Sequence, residues 1–192
     1  MSFFNEAYLS VPPWDIGRPQ PVFAKLAVSE NLGDEIIDVG CGTGEHAMLF
    51  ASSGYRVLGI DSAPLAIEKA RIKASQRGSK AEFVVADALR LAELHRKFDV
   101  AIDSGLFHVF SDRERLAYVG SLRDVLRPQG RYYMLCFSDK EPDWGGPRRV
   151  FKWEILASFS EGWHVDYVRP AKFESAHHGR GGEAWFSKVT RT

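Results

Sequence analysis

From residue 36 onward, short and nearly unbroken apolar runs alternate with longer amphipathic ones. Ile36–Val39, Arg56–Asp61, Glu82–Asp87, Phe98–Asp103 and Arg131–Phe137 have the length and the β-branched or aromatic content of buried strands. The segments between them read as helices. Glu45 to Ser53 is closed by Gly54, and a second helix carries Pro64 in its first turn and stops at Gly78 after Arg77. A short helix is expected over Leu89–His95, another from Asp112 to Leu126 ended by Pro128 and Gly130, and one over Val150–Ser160. Pro21 opens an earlier helix, Val22 to Asn31, ended by Gly33. Such alternation predicts a parallel sheet covered on both faces. The end of the chain differs. Val165–Phe173 and Trp185–Val189 are strand candidates with no helix between them, which calls for an antiparallel hairpin. Residues 1–21 fit no regular element. Pro12, Pro13, Pro19 and Pro21 deny a helix interior, yet Trp14, Ile16 and nearby aromatics are too apolar for a loose tail, so the segment should fold over something.

Composition narrows the field only a little. At 192 residues, 45% hydrophobic and 26% charged, the chain has the size and balance of one globular domain. Its 25 basic and 25 acidic residues cancel, leaving no electrostatic footprint for a nucleic-acid backbone. The two cysteines, Cys41 and Cys136, fall in predicted buried segments, which fits a reducing cytoplasm rather than a disulfide framework. No apolar run reaches membrane-spanning length.

The candidate chemistry begins where the first strand ends. Gly40-Cys41-Gly42-Thr43-Gly44 follows Ile36-Ile37-Asp38-Val39 directly and precedes a helix. Glycines let a backbone approach a ligand closely, and the following helix points its free N–H groups at the turn. The spacing is Gly-x-Gly-x-Gly with an acid, Asp38, two residues ahead. A dinucleotide site wants its third glycine one residue later, and an acid at this position repels a pyrophosphate but suits an amino group. Further acids, Asp61, Asp87 and Asp103, stand at or near the carboxyl ends of the next three strands, where an open α/β sheet binds its ligands. Each alone reads equally well as a helix N-cap.

The glycine turn with these acids resembles motif I and its downstream partners in the class I S-adenosylmethionine-dependent methyltransferases, over roughly residues 36–137. The resemblance implies an α/β, doubly wound, seven-stranded sheet, mostly parallel with an antiparallel last strand. It implies one domain over 1–192, with an N-terminal cap segment and helix (1–34), a cofactor-binding half (35–137) and an acceptor side (138–192). The implied cofactor is S-adenosylmethionine. Gly40, Cys41, Gly42 and Gly44 would hold its methionine end, Asp38 its ammonium, Asp61 with Ser62 its ribose, Asp87 with Ala88 its adenine, and Asp103 with Ser104 would flank the methyl. The stretch Pro12-Pro13-Trp14-Asp15-Ile16-Gly17-Arg18-Pro19 is similar to the thiopurine and thiol methyltransferase group. By that analogy Trp14 packs on the cofactor and Arg18 lines the entrance.

On the acceptor side, His108 is the candidate general base for a hydroxyl acceptor, with the alternative of a structural histidine. Phe107 is expected near the sulfonium, whose charge favours an aromatic face. Trp144, in Pro142-Asp143-Trp144-Gly145-Gly146-Pro147-Arg148-Arg149, would line the substrate on a lid, and Arg148 and Arg149 would hold an anionic acceptor or be solvated. The pair His177-His178 lacks acidic or cysteine companions, so no metal is expected. The expected activity is methyl transfer to sulfur or oxygen of a small aromatic or heterocyclic molecule. Neither nucleic acid nor membrane is expected as a partner, and the state is a monomer or homodimer. A non-catalytic cofactor-binding domain and a nicotinamide oxidoreductase are the competing readings.

Overall fold

The computed structural model of the chain describes residues 3–176 and 178–192, the side chains of 178–180 excepted. A seven-stranded sheet runs through it in the order β3-β2-β1-β4-β5-β7-β6. The strands are β1 (Glu35–Val39), β2 (Arg56–Asp61), β3 (Glu82–Val85), β4 (Phe98–Ser104), β5 (Leu126–Phe137), β6 (Trp163–Ser175) and β7 (His178–Arg191). The first five pair in parallel, and β7 runs antiparallel to both β5 and β6. The helices are α1 (Phe3–Ala7), α2 (Pro21–Ser29), α3 (Glu45–Ser52), α4 (Pro64–Arg77), α5 (Asp112–Val125) and α6 (Lys152–Ser158).

The two-residue period of each strand sorts its side chains between two apolar layers. On one face Ile37, Val39, Leu58, Ile60, Tyr132 and Met134 meet Tyr118 and Leu122 of α5 and Ile155 of α6. On the other, Ile36, Val57, Val100, Tyr133 and Leu135 meet Phe23 of α2, Met48 of α3 and Ile67 of α4. The alternation is the doubly wound arrangement expected from the sequence, and β2 and α4 begin and end where the apolar pattern and its glycine and proline stops put them.

Several boundaries differ. α1 forms in a stretch expected to be irregular, docked by Asn5, whose Oδ1 accepts the Leu65 N–H at 3.0 Å. The segment over Ala88–Leu94 is a kinked 3₁₀ helix rather than an α-helix. β5 starts earlier than Arg131, because Leu126 already pairs with Phe98 and residues 127–130 bulge out, with Gln129 at φ 63°. β6 and β7 extend well beyond the expected hairpin strands. His177 lies outside the described residues, as does the side chain of His178, so the His177-His178 pair is not placed. Among the described residues no helix is long and apolar enough to cross a membrane.

Candidate functional site

The glycine turn sits against the carboxyl ends of β1, β2 and β4. Its three glycines have φ of 73°, 54° and 87°, which side-chain-bearing residues rarely adopt. A Cβ on Gly42 would lie 2.8 Å from the Tyr8 hydroxyl, and one on Gly44 2.6 Å from the Phe83 ring. The turn is therefore a cradle that a single methyl group would fill. Cys41 is buried inside it, and its N–H donates to Ile60 O at 2.8 Å.

The acids take different places. Asp61 Oδ2 accepts the Gly42 N–H at 2.9 Å and Oδ1 accepts the Ala63 N–H at 2.9 Å. The Ser62 N–H also favours the charged form of Asp61, and of a carboxylate's about four lone-pair sites not all are taken, which leaves capacity for a ribose hydroxyl. Ser62 follows it on the surface. Asp38 is 1% exposed; its Oδ2 accepts the Ala47 N–H of α3 at 3.1 Å, and its Oδ1 has no described partner. Burial, then the nearby Asp103 and Asp61 charges, push its pKa up to about 8 against the lowering by Ala47. A cationic group is what such a carboxyl lacks. Asp87 is exposed and caps the 3₁₀ helix through Leu89 N–H, with Ala88 next to it. The donor set thus fits S-adenosylmethionine: an acid with open lone pairs for the ribose, a buried carboxyl for an ammonium, and a backbone cradle between them.

Asp103 corrects an expectation. It is 0% exposed and fully occupied. Oδ1 accepts Leu106 N–H at 2.8 Å, while Oδ2 accepts Phe107 N–H at 3.1 Å, Tyr118 O–H at 3.1 Å and Tyr132 O–H at 2.7 Å. Burial outweighs these donors and raises its pKa to about 6. Asp103 fastens the turn after β4 to α5 and β5. Ser104, half-buried at the end of β4, is the residue there that stays open.

Phe107 is also corrected. Its ring is fully buried, stacked on Phe159, with the Arg115 guanidinium 4.5 Å from its centroid. The cation its ring faces is Arg115. Arg115 in turn pairs with Glu154 at 2.8 Å, and Arg148 holds the same Glu154 and Asp112.

His108 lies on the other side of that turn. Its ring stacks on Phe137 at 5.1 Å and leans on Phe173 at 5.8 Å. Nδ1 accepts the Phe137 N–H at 3.0 Å. A ring nitrogen that accepts is bare, so the proton of the neutral imidazole sits on Nε2. Burial, then the charges of Arg115 and Arg149, lower the His108 pKa to about 3. With one nitrogen committed and the other protonated, His108 has no free basic site, against the base role expected of it.

Trp144 rises beside this group, edge-on to Phe137 at 5.7 Å. Its loop is tied down rather than loose. The Trp144 indole N–H donates to Glu141 at 2.7 Å, and Glu141 also accepts the Glu183 N–H of β7 at 2.6 Å. A Cβ on Gly146 would lie 2.5 Å from the Trp144 ring. Arg149 stacks 4.6 Å from Trp144 and donates to the carbonyls of Glu141, Pro142, Gly145 and Pro147. Both arginines of the loop are thus spent inside the protein, and neither is set to hold an anionic acceptor.

The N-terminal segment spans from the glycine turn to the end of β6. Trp14 donates its indole N–H to the Tyr8 hydroxyl at 3.0 Å, and the pair packs on Ala63 and Ala66. Asp15 accepts the Thr43 hydroxyl at 2.9 Å. Arg18 pairs with Glu174, while the Gln20 amide brackets the Glu174 backbone at 2.7 and 2.8 Å. Tyr8 and Gln20 escaped the sequence reading: a lone tyrosine and a lone glutamine carry no spacing signal. Among the described residues no cluster of His, Cys, Asp or Glu could hold a metal ion.

Comparison with known proteins agrees with this geometry. A family model described as "Methyltransferase domain" matches residues 36–130. The chain is 35% identical over 164 residues to a 2-heptyl-1-hydroxyquinolin-4(1H)-one methyltransferase of Mycobacteroides abscessus, covering 84% of this chain and 72% of that protein. It is 30% identical to a probable thiol methyltransferase 2 of Arabidopsis thaliana, over 72% of this chain and 62% of that one. A solved structure described as "Conversion of a Disulfide Bond into a Thioacetal Group during Echinomycin Biosynthesis" superimposes with a TM-score of 0.89 at 32% identity, covering 98% of this chain and 91% of that chain. The chain belongs to the class I S-adenosylmethionine-dependent methyltransferases that act on small molecules.

Proposed function

We propose that this enzyme methylates sulfur or oxygen of a small, flat aromatic or heterocyclic molecule, and that the acceptor atom arrives already ionised. The observation that carries this is the wall packed from His108, Phe137, Phe173 and Trp144 beyond the ends of β4 and β5, in which Trp144 is the exposed ring and His108 has no free basic nitrogen. Offset or edge contacts with such a wall favour a planar substrate by about 0.5–1.5 kcal/mol per ring pair. The relatives' names point the same way, one to a hydroxyquinolinone and one to a thiol. Both classes supply an acceptor that ionises well below an ordinary alcohol.

S-adenosylmethionine, when bound, supplies a methyl carbon that an acceptor lone pair can attack while the bond to sulfur breaks with its electron pair. The glycine turn, Asp38 and Asp61 hold that cofactor; Asp87, Ala88, Ser62 and Trp14 border it. Ser104, half-buried at the strand end, is where the two reactants would meet. Trp144, backed by the buried Phe137 and Phe173, fixes the plane of the acceptor. Alignment of this kind does the catalytic work that a base would otherwise share.

A rate series tests the reading. Purified enzyme is offered S-adenosylmethionine with aromatic thiols, N-hydroxy heterocycles and simple phenols. Acidic acceptors should turn over fastest at neutral pH, with unactivated phenols slower by about tenfold per unit of acceptor ionisation lost. Phenols turned over as fast as thiols at pH 7 would sink the ionised-acceptor reading.

A further inference from the structure

We infer that His108 is a specificity-determining hydrogen-bond donor, whose Nε2–H recognises the ionised acceptor atom or a carbonyl beside it. The inference rests on the aromatic acceptor wall just proposed. Three observations carry it. First, the Phe137 N–H, fixed in β5, points at Nδ1 and sets the tautomer. Second, Nε2 meets no hydrogen-bond partner among the described residues. The side-chain polar atoms sealed away without a partner are Arg115 Nη2, Tyr167 Oη and Ser187 Oγ, and Nε2 is not one of them, so the 3% of surface His108 keeps includes that atom. Third, Nε2 lies at Gly105, where an added Cβ would stand 3.5 Å away and would also meet the Phe173 ring at 2.9 Å. A lone donor thus stands at the carboxyl end of β4, between the Phe137 and Phe173 rings.

The surroundings keep it a donor. Arg115 reaches toward it from α5 and Arg149 from the loop after β5, and both disfavour a second proton on the ring. A neutral ring cannot attract by charge, so the contact selects by position. Because His108 is only 3% exposed, a neutral acceptor lacking the matching lone pair leaves Nε2–H unpaired, which is costly. The site therefore favours thiolates, N-oxides of hydroxamate type and enolates over ethers or plain arenes. It also separates two roles that sequence alone cannot: a base at this position would take a proton from the acceptor, whereas a donor leaves the acceptor's own ionisation to set the pH profile.

The test pairs a spectrum with kinetics. In protein carrying ¹⁵N-labelled histidine, His108 should show a protonated Nε2 and a bare, hydrogen-bonded Nδ1, unchanged from pH 5 to 9. A proton on Nδ1, or a titration step inside that range, overturns the donor assignment whether or not any acceptor turns over. With a turned-over acceptor, His108→Phe should raise KM about 10- to 100-fold, the worth of a hydrogen bond to a charged group. Its S-adenosylhomocysteine affinity should stay the same. His108→Gln, which offers an amide N–H, should recover part of the loss. An unchanged KM in His108→Phe, or a wild-type inflection near pH 6–7 that vanishes in that variant, refutes the inference. If no aromatic thiol or hydroxy heterocycle is methylated although S-adenosylhomocysteine binds, the proposed substrate class fails, and the spectrum still decides the donor role.

Discussion

The two walls of the crevice are built from different materials. The cofactor side is mostly backbone: a turn with three left-handed glycines, N–H groups aimed at Asp38 and Asp61, and a helix starting at once. The acceptor side is side chain upon side chain: His108 on Phe137, Phe137 on Trp144, Arg149 over both, and Glu141 tying the tryptophan to β7. Backbone geometry demands particular residue types at fixed spacing. Side-chain packing can be met in many ways by residues far apart in the chain. The cofactor wall should therefore fail as a unit when its backbone is disturbed, and the acceptor wall should fail piece by piece.

The largest expected effect lies on the backbone wall. Gly44→Val places a branched side chain at φ 87° and drives its Cβ to within 2.6 Å of Phe83, a buried ring with no room to move. Strain and overpacking together should cost about 3–5 kcal/mol, a large share of a typical folding free energy. Gly54→Ala is the control. It has a similar φ of 97° but nothing within 4 Å of the added Cβ, so it should lose only about 1 kcal/mol. Urea unfolding of the two variants decides it. Equal, small losses in both would mean that the turn is not held by packing, and the contrast between the walls would fall.

This contrast also explains what could be read from the chain. The strand–helix alternation, the glycine turn and the place of Asp61 at the end of β2 were legible because each follows from a local rule of spacing or turn chemistry. Asp103 was misread for the same reason. It occupies the expected strand end, but Tyr118 and Tyr132, fifteen and twenty-nine residues on, claim its oxygens. Nothing local announces them. Phe107 and His108 are neighbours in a 3₁₀ turn that the pattern did not show, and that turn sends one ring to Arg115 and the other to Phe137. Arg148 and Arg149 looked like free cations because their partners, Glu154 and a set of loop carbonyls, are recruited only when the loop closes on itself.

A pH titration of stability probes the buried carboxyl of the cofactor wall. Asp38 has a folded pKa of about 8 and an unfolded value near ~3.9. Between pH 8 and about 6.5 the folded chain therefore holds close to one proton more than the unfolded chain, and stability should rise on acidification by about 1–2 kcal/mol across that window. Below about pH 6.5 the sign is contested. Asp103, at about 6, adds to the gain, but His46 and His108, held near 4 and 3, stay neutral in the fold while their unfolded forms take up protons. The opposing terms nearly cancel, and stability should level off. Denaturation at three pH values, repeated on Asp38→Asn, tests this: the slope above pH 6.5 should vanish in the variant. A flat wild-type profile would mean that Asp38 is already ionised, and so already partnered, without the cofactor.

The smallest expected effect is the sharpest test of independence. Glu141→Gln keeps an oxygen for either the Trp144 indole or the Glu183 N–H and weakens the bond to the other. The loss is one charge-assisted bond, worth about 1–2 kcal/mol. If the acceptor wall is assembled from separable pieces, this loss should appear as a several-fold rise in acceptor KM and an altered Trp144 fluorescence. S-adenosylhomocysteine affinity should not change, because Glu141 touches neither the glycine turn nor the acids. Should both affinities fall together, the two walls share their support through the β5–β7 pairing, and the acceptor loop would have to be counted as part of the cofactor site.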